Sequence, residues 1–223
     1  LHLSYKVLGV GKRNGILTSP ITFVSTASAA SMLSAPVFFT DVDKKTGLMN
    51  KKCFINSLKE INSDLRAVVP VHLGGRACDM VSVYDEAKKR GLAVIEDASH
   101  APLAEYVDEK DNIFKVGACK HSDITVLSMH AIKHIAMGEG GVILTNDKEL
   151  YRKIKKLRNH GIDKEEENWI GTAAVKNAAW YYEVQEFGWN YRANEMQCAL
   201  GRSQLLKLEY SLNKRKRIAE KYD

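Results

Sequence analysis

The chain turns on the stretch at 123–147, Asp-Ile-Thr-Val-Leu-Ser-Met-His-Ala-Ile-Lys-His-Ile-Ala-Met-Gly-Glu-Gly-Gly-Val-Ile-Leu-Thr-Asn-Asp. Two short apolar runs, 124–127 and 142–144, predict strands, and a polar segment with one lysine, Lys133, joins them. Gly138-Glu139-Gly140-Gly141 allows a tight turn beside that lysine, since glycine tolerates positive φ. Structure alone explains such a lysine poorly, because a charge between buried strands needs a partner or neutralisation. Imine chemistry explains it well. Desolvation lowers the pKa of an ammonium and frees the amine to attack a carbonyl.

Outward from this stretch, apolar strands alternate with helices. Strands are predicted at 16–18, 36–39, 67–71 and 92–95, and helices at 1–10, 23–33, 53–61, 80–90 and 148–159. Gly91 stands where a glycine closes a helix. Residues 162–186 lack a clear period and read as an irregular loop, and 194–221 reads as one long helix. Alternation of this kind predicts an α/β fold, three layers deep (α/β/α), with a mainly parallel sheet buried on both faces. Ligands of such sheets sit beyond the carboxyl ends of the strands. His72, Asp97, His100 and Lys133 all fall there.

A chain of 223 residues, 45% hydrophobic and 27% charged, has the composition of a soluble globular protein with a well-buried core. The net charge of +6 is concentrated in Lys207, Lys214, Arg215, Lys216 and Arg217. No aromatic residues interleave that run at a base-stacking spacing, so a solvated helix face is favoured and no nucleic-acid partner is expected. Cys53, Cys78, Cys119 and Cys198 are far apart, which predicts free, buried thiols. With no signal peptide and no apolar run near membrane-spanning length, the expectation is a cytoplasmic protein without a membrane partner. The first residues already look helical and the last still do, so both ends look cut.

Asp97 follows the apolar run Val94-Ile95 and should be partly buried at a strand tip. Taken alone it predicts an ion pair with a nearby Lys or Arg. Together with Lys133 it suggests more: an acid to pair a protonated pyridine nitrogen and a lysine to form the imine are the two protein groups that pyridoxal phosphate requires. Ser128, five positions before Lys133, is suited to bind a phosphate or to bond its own loop. Phe23 is suited to stack on a ring or to join the core. His130 and His134 are four apart, but Ala131-Ile132-Lys133 between them lacks the glutamate of a zinc helix, and no metal is expected. The glycines at 9, 11 and 15 do not follow a strand, so they make a weak dinucleotide fingerprint.

At these residues the chain resembles the DegT/StrS-type sugar aminotransferases, fold-type I pyridoxal phosphate enzymes. Six segments carry the likeness in order: 18–25 (Thr-Ser-Pro-Ile-Thr-Phe-Val-Ser), 70–75 (Pro-Val-His-Leu-Gly-Gly), 95–101 (Ile-Glu-Asp-Ala-Ser-His-Ala), 128–133 (Ser-Met-His-Ala-Ile-Lys), 138–147 and 190–197 (Asn-Tyr-Arg-Ala-Asn-Glu-Met-Gln). The resemblance implies that Lys133 bonds the cofactor, Asp97 pairs its pyridine nitrogen, His100 lies near its phenolic oxygen, Phe23 stacks on its ring and Ser128 binds its phosphate. It further implies that Asn190 reaches the phosphate of a neighbouring subunit, hence a homodimer with shared active sites.

The implied reaction moves an amino group from a glutamate-like donor to a nucleotide-linked keto sugar. The phrasing at 128–147 resembles the pseudaminic-acid branch. A dehydratase branch carries histidine in place of the lysine, which Lys133 argues against. In the family a Gly-Thr or Gly-Ser pair upstream binds the phosphate, and a small domain follows the last helix; neither is within these residues. Residues 1–193 are then expected to form the cofactor domain and 194–223 a helix leading toward the small domain. A truncated, non-catalytic remnant is the alternative.

Overall fold

The apolar runs become strands whose chain order is β1 (Gly15–Thr18), β2 (Val37–Phe39), β3 (Leu65–Val69), β4 (Ala93–Asp97), β5 (Glu105–Val107), β6 (Ile113–Lys115), β7 (Ile124–Ser128) and β8 (Gly141–Leu144). Six of them make one sheet in the order β2-β1-β3-β4-β7-β8, parallel throughout except for β8, which runs antiparallel to β7. The helices that alternate with them are α1 (His2–Val7), α2 (Ser25–Ser31), α3 (Lys51–Leu58) and α4 (Met80–Lys88). The computed structural model describes residues 1–171 and 179–222.

Helix starts follow from short polar side chains that satisfy the first free amides. Asn50 accepts from the Cys53 amide at 2.9 Å to begin α3, and Asp79 accepts from the Ser82 amide at 3.2 Å to begin α4. Gly91 closes α4 as expected. Its φ of +67° lets the Leu92 amide reach back to the Ala87 carbonyl at 3.0 Å.

Strand residues alternate between two buried faces. Leu17, Val68 and Val94 join Phe54, Met80, Val83 and Ala87 in one core beneath α3 and α4. Ile16, Ala67, Val69 and Ile95 point to the other face, where α1 and α2 pack and Tyr5 is fully buried. Asp97, two residues beyond Ile95, shares that second face. The fold is therefore α/β with a mainly parallel sheet between helical layers, as predicted.

The chain divides into two compact units, Leu1–Asn146 with Ala193–Asp223, and Asp147–Arg192. Within the second, α5 (Lys148–Leu157) starts at the Asp147 cap, and β9 (Ile162–Asp163) pairs antiparallel with β10 (Glu183–Val184). The buried Asp163 carboxylate takes Lys156 at 2.7 Å.

Three expectations need correction. Residues 162–186 are not wholly irregular, since β9 and β10 pair at their ends; 172–178 lie outside the described residues. The helix expected at 194–221 is two, α6 (Glu195–Leu205) and α7 (Leu208–Ala219). Between them the Lys207 amide bonds Gln204 at 3.0 Å, a tightened turn that rotates Leu208 inward while Leu206 stays 86% exposed. Not every cysteine is buried: all are free, but Cys198 is exposed. Cys78 is buried as expected, and that burial pushes its thiol up to about 12.

The α6 and α7 helices pack on the connection between β7 and β8. Leu208 is 3% exposed and touches Met129, Ile135 and Met137. A side chain at Gly201 would press on the Met137 side chain at 3.2 Å, so glycine there eases the close approach of α6.

Candidate active site

The site forms at the carboxyl edge of the sheet, where β4 delivers Asp97 and β7 delivers Ser128. The backbone of Asp97 is fixed on both sides: its amide donates to Pro70 and its carbonyl accepts from His72, each at 3.0 Å. Asp97 as a whole is 3% exposed. Hydroxyls and an amide meet it, in place of the Lys or Arg of an ordinary buried ion pair. The Thr26 hydroxyl donates to Oδ2 at 2.7 Å, and the Ser99 hydroxyl and amide donate to Oδ1 at 2.6 and 3.2 Å.

Lys133 lies half-buried in the connection between β7 and β8. Ser128 pairs with Gly141 at the mouth of that connection, and the Met129 amide bonds the Gly140 carbonyl at 2.9 Å. Inside the loop the Met137 amide bonds Met129, and the Lys133 amide bonds His130, both at 2.9 Å. Gly138 has φ +84°, and a Cβ at Gly140 would lie 2.7 Å from the Met137 sulfur. These glycines close the turn predicted beside Lys133.

His100 ties the two halves together. Burial, and then the Lys133 charge, hold its imidazolium below the ordinary histidine range, while Asp97 pulls the other way. His134 is also held low, by burial first and then by Arg215, Lys133 and His100. Its Nδ1 is buried without a hydrogen-bond partner.

The remaining candidates are placed less completely. The Ser128 hydroxyl accepts from the His130 amide at 3.4 Å, a bond within its own loop. Phe23 stands 67% exposed before α2, and its carbonyl takes the Thr26 amide at 3.2 Å, so it begins the turn that carries Thr26. Asn190 belongs to the second unit, exposed and bridged to Asn159. His130 pairs with Glu139 at 3.5 Å, and no group suited to hold a metal ion occurs among the described residues.

Sequence reasoning gave Thr26 and Ser99 no role, weighed His134 only as a metal ligand and read Arg215 only as part of a charged helix face. Thr26 sits in an Ala- and Ser-rich helix that reads as close packing. Its one visible signal was Thr22, a second hydroxyl four positions earlier, before the predicted helix.

A mixed, mainly parallel sheet with helices on both faces is the architecture of solved aminotransferases. The structure of the aminotransferase TlmJ from Streptoalloteichus hindustanus superposes with a TM-score of 0.83 at 29% identity, over 100% of this chain and 54% of that one. The structure described as Helicobacter pylori PseC, an aminotransferase involved in the biosynthesis of pseudoaminic acid, superposes with a TM-score of 0.79 at 33% identity, over 99% of this chain and 56% of that one.

The model of the DegT/DnrJ/EryC1/StrS aminotransferase family matches residues 1–223, and the chain belongs to that family. The UDP-4-amino-4,6-dideoxy-N-acetyl-beta-L-altrosamine transaminase of Campylobacter jejuni (strain 81-176) is 39% identical over 223 residues, 100% of this chain and 54% of the relative. The chain thus spans about half the length of the curated relatives it matches.

Proposed function

We propose that this chain is the cofactor-binding portion of an aminotransferase that uses pyridoxal 5′-phosphate to move an amino group from a glutamate-like donor to a nucleotide-linked keto sugar. The observation that carries this reading is the buried Asp97 carboxylate, met by hydroxyls and an amide at the sheet edge where β7 leads into the loop that bears Lys133. The sugar class draws its support from the transaminase of Campylobacter jejuni and the Helicobacter pylori structure, both named for amino-sugar chemistry.

The residues fit the cofactor. A carboxylate has about four lone-pair sites, and among the described residues three donors meet Asp97, which leaves one site for a protonated ring nitrogen. When bound, the cofactor supplies an electron sink for the negative charge that develops at the substrate carbon. Lys133 Nζ would hold the cofactor, and its amine would be the group that moves a proton at the substrate carbon. Asp97 keeps the ring nitrogen protonated. His100, held neutral by burial and by Lys133, offers an uncharged hydrogen-bonding group beside the phenolic oxygen. Ser128 holds the phosphate and Phe23 covers the ring. Asn190 completes the phosphate site of a second copy in a homodimer. In this reading 1–193 carry the cofactor and 194–223 lead toward a smaller domain, and the enzyme works in the cytoplasm. Among the described residues, no helix is long and apolar enough to cross a membrane.

The test is incubation with pyridoxal 5′-phosphate, borohydride reduction and peptide mapping. A pyridoxyl mass on the peptide containing Lys133, lost in Lys133→Ala, is expected. An adduct that survives Lys133→Ala, or none on folded protein, would refute the assignment. With the adduct in place, glutamate-dependent amination is screened on nucleotide-linked keto sugars.

A further inference from the structure

The Asp97 carboxylate is oriented from a different element. Thr26 lies on α2, 71 residues away in sequence, and is 1% exposed. Its hydroxyl sits 2.7 Å from Asp97 Oδ2 and 2.9 Å from the Thr22 hydroxyl. An ionised carboxylate only accepts, so the proton directions follow. Thr26 donates to Asp97, and Thr22 donates to Thr26. The Thr26 backbone is held as well, since its carbonyl accepts from the buried Tyr5 hydroxyl at 2.8 Å. A chain of two hydroxyls, Thr22 and Thr26, therefore ends on Asp97, while Tyr5 of α1 holds the Thr26 backbone. Each link polarises the next.

We infer that Thr26 is a positioning residue for Asp97, and that its hydroxyl, supported by Thr22, leaves the second lone pair of Oδ2 as the acceptor for a cationic ring N–H. The count is direct. Oδ1 takes both Ser99 donors, which uses its two lone pairs; Oδ2 takes Thr26 on one, and the other stays open. Without the Thr26 hydroxyl, Oδ2 has two open sites, and the carboxylate can turn about the Ser99 contacts. The inference rests on the cofactor reading above, and it assigns Thr26 no contact with substrate.

The experiment compares wild type, Thr26→Val and Thr26→Ser. Valine keeps the branched shape and removes the donor; serine restores it. Two quantities are read: the dissociation constant of pyridoxal 5′-phosphate, and the ¹⁵N chemical shift of its labelled ring nitrogen on the protein. Thr26→Val should weaken binding about tenfold, the order of one hydrogen bond to a charged group, and move the ring signal toward that of the unprotonated base. Thr26→Ser should restore both. A purely structural tether would lower thermal stability and leave the ring signal unmoved, and that result overturns the inference. Should Thr26→Val fail to fold, Thr22→Val decides: at this half-buried position the same shift, smaller, is expected, and an unchanged one overturns the inference. A wild-type protein that takes up no pyridoxal phosphate refutes the cofactor reading and this inference with it. Wild-type binding matched by Thr26→Val refutes the inference alone.

Discussion

Leu208→Ala tests whether the break between α6 and α7 is what seats the C-terminal helices beneath the Lys133 loop. Leu208 is 3% exposed against Met129, Ile135 and Met137, with Val142 and Leu212 beside them. Truncation removes three carbons, and at roughly 0.8 kcal/mol each the lost burial is about 2.4 kcal/mol. A cavity adds to this, but so small a cluster can partly collapse, which keeps the expected loss near the low end of Leu→Ala values, about 2.5–3 kcal/mol. Leu206→Ala is the control. Two residues earlier and 86% exposed, it should cost less than about 0.5 kcal/mol. The assay is urea unfolding of the three proteins, with limited proteolysis of the 129–140 loop as a local probe. Faster cleavage in Leu208→Ala alone is expected. Equal losses for the two variants, or a larger one at Leu206, would refute the inward rotation of Leu208.

Other outcomes follow from the same geometry. Asp97→Asn can keep both Ser99 bonds on its oxygen while its amide nitrogen donates to Thr26, so folding should change by about 1 kcal/mol or less. Cofactor binding, measured by titration, should weaken by roughly ten- to a hundredfold, since no acceptor remains for a ring N–H. In the core, the His72 ring accepts from the Cys78 amide at Nδ1, which leaves Nε2–H to donate to Glu96 at 3.3 Å. His72→Ala leaves the buried Glu96 side chain with the Gly117 amide at 3.4 Å and should cost about 3 kcal/mol in denaturant unfolding. Glu96→Gln keeps an oxygen for His72 and should cost clearly less. His100, His121 and His134 are all held below the ordinary histidine range, by burial first. Each stays neutral in the folded state where the unfolded chain takes a proton. Their contribution is therefore full above about pH 6.5 and lost as pH falls below it, which unfolding at stepped pH would show.

The strands that decide the fold were legible because their sequences carry the signal that forms them. Val68, Val69, Val94 and Ile95 are apolar on consecutive positions because helices cover both faces of the sheet. Lys133 stood out for the complementary reason, a charge in a loop that glycines fold tightly beside it. The β5–β6 hairpin went unread. Its strands are three residues long, only Tyr106 among them is buried, and so short a run shows no period. The helix break escaped as well, since Leu205, Leu206 and Leu208 look alike in sequence and differ only in what faces them. Asp97 was legible as an acid at a strand tip, but its partner was not. A threonine far along the chain leaves no mark of the contact it will make.

That separation has a kinetic consequence. The loop bearing Lys133 is closed by neighbouring strands a short way apart in the chain, so its assembly costs little loop entropy. The carboxylate finds Thr26, 71 positions away, only after the chain between them has threaded two parallel crossovers, and contacts of that range form slowly. During refolding the lysine should stand in its loop before the acid is aimed. Uptake of the cofactor would then mark the end of folding and lag behind the return of secondary structure.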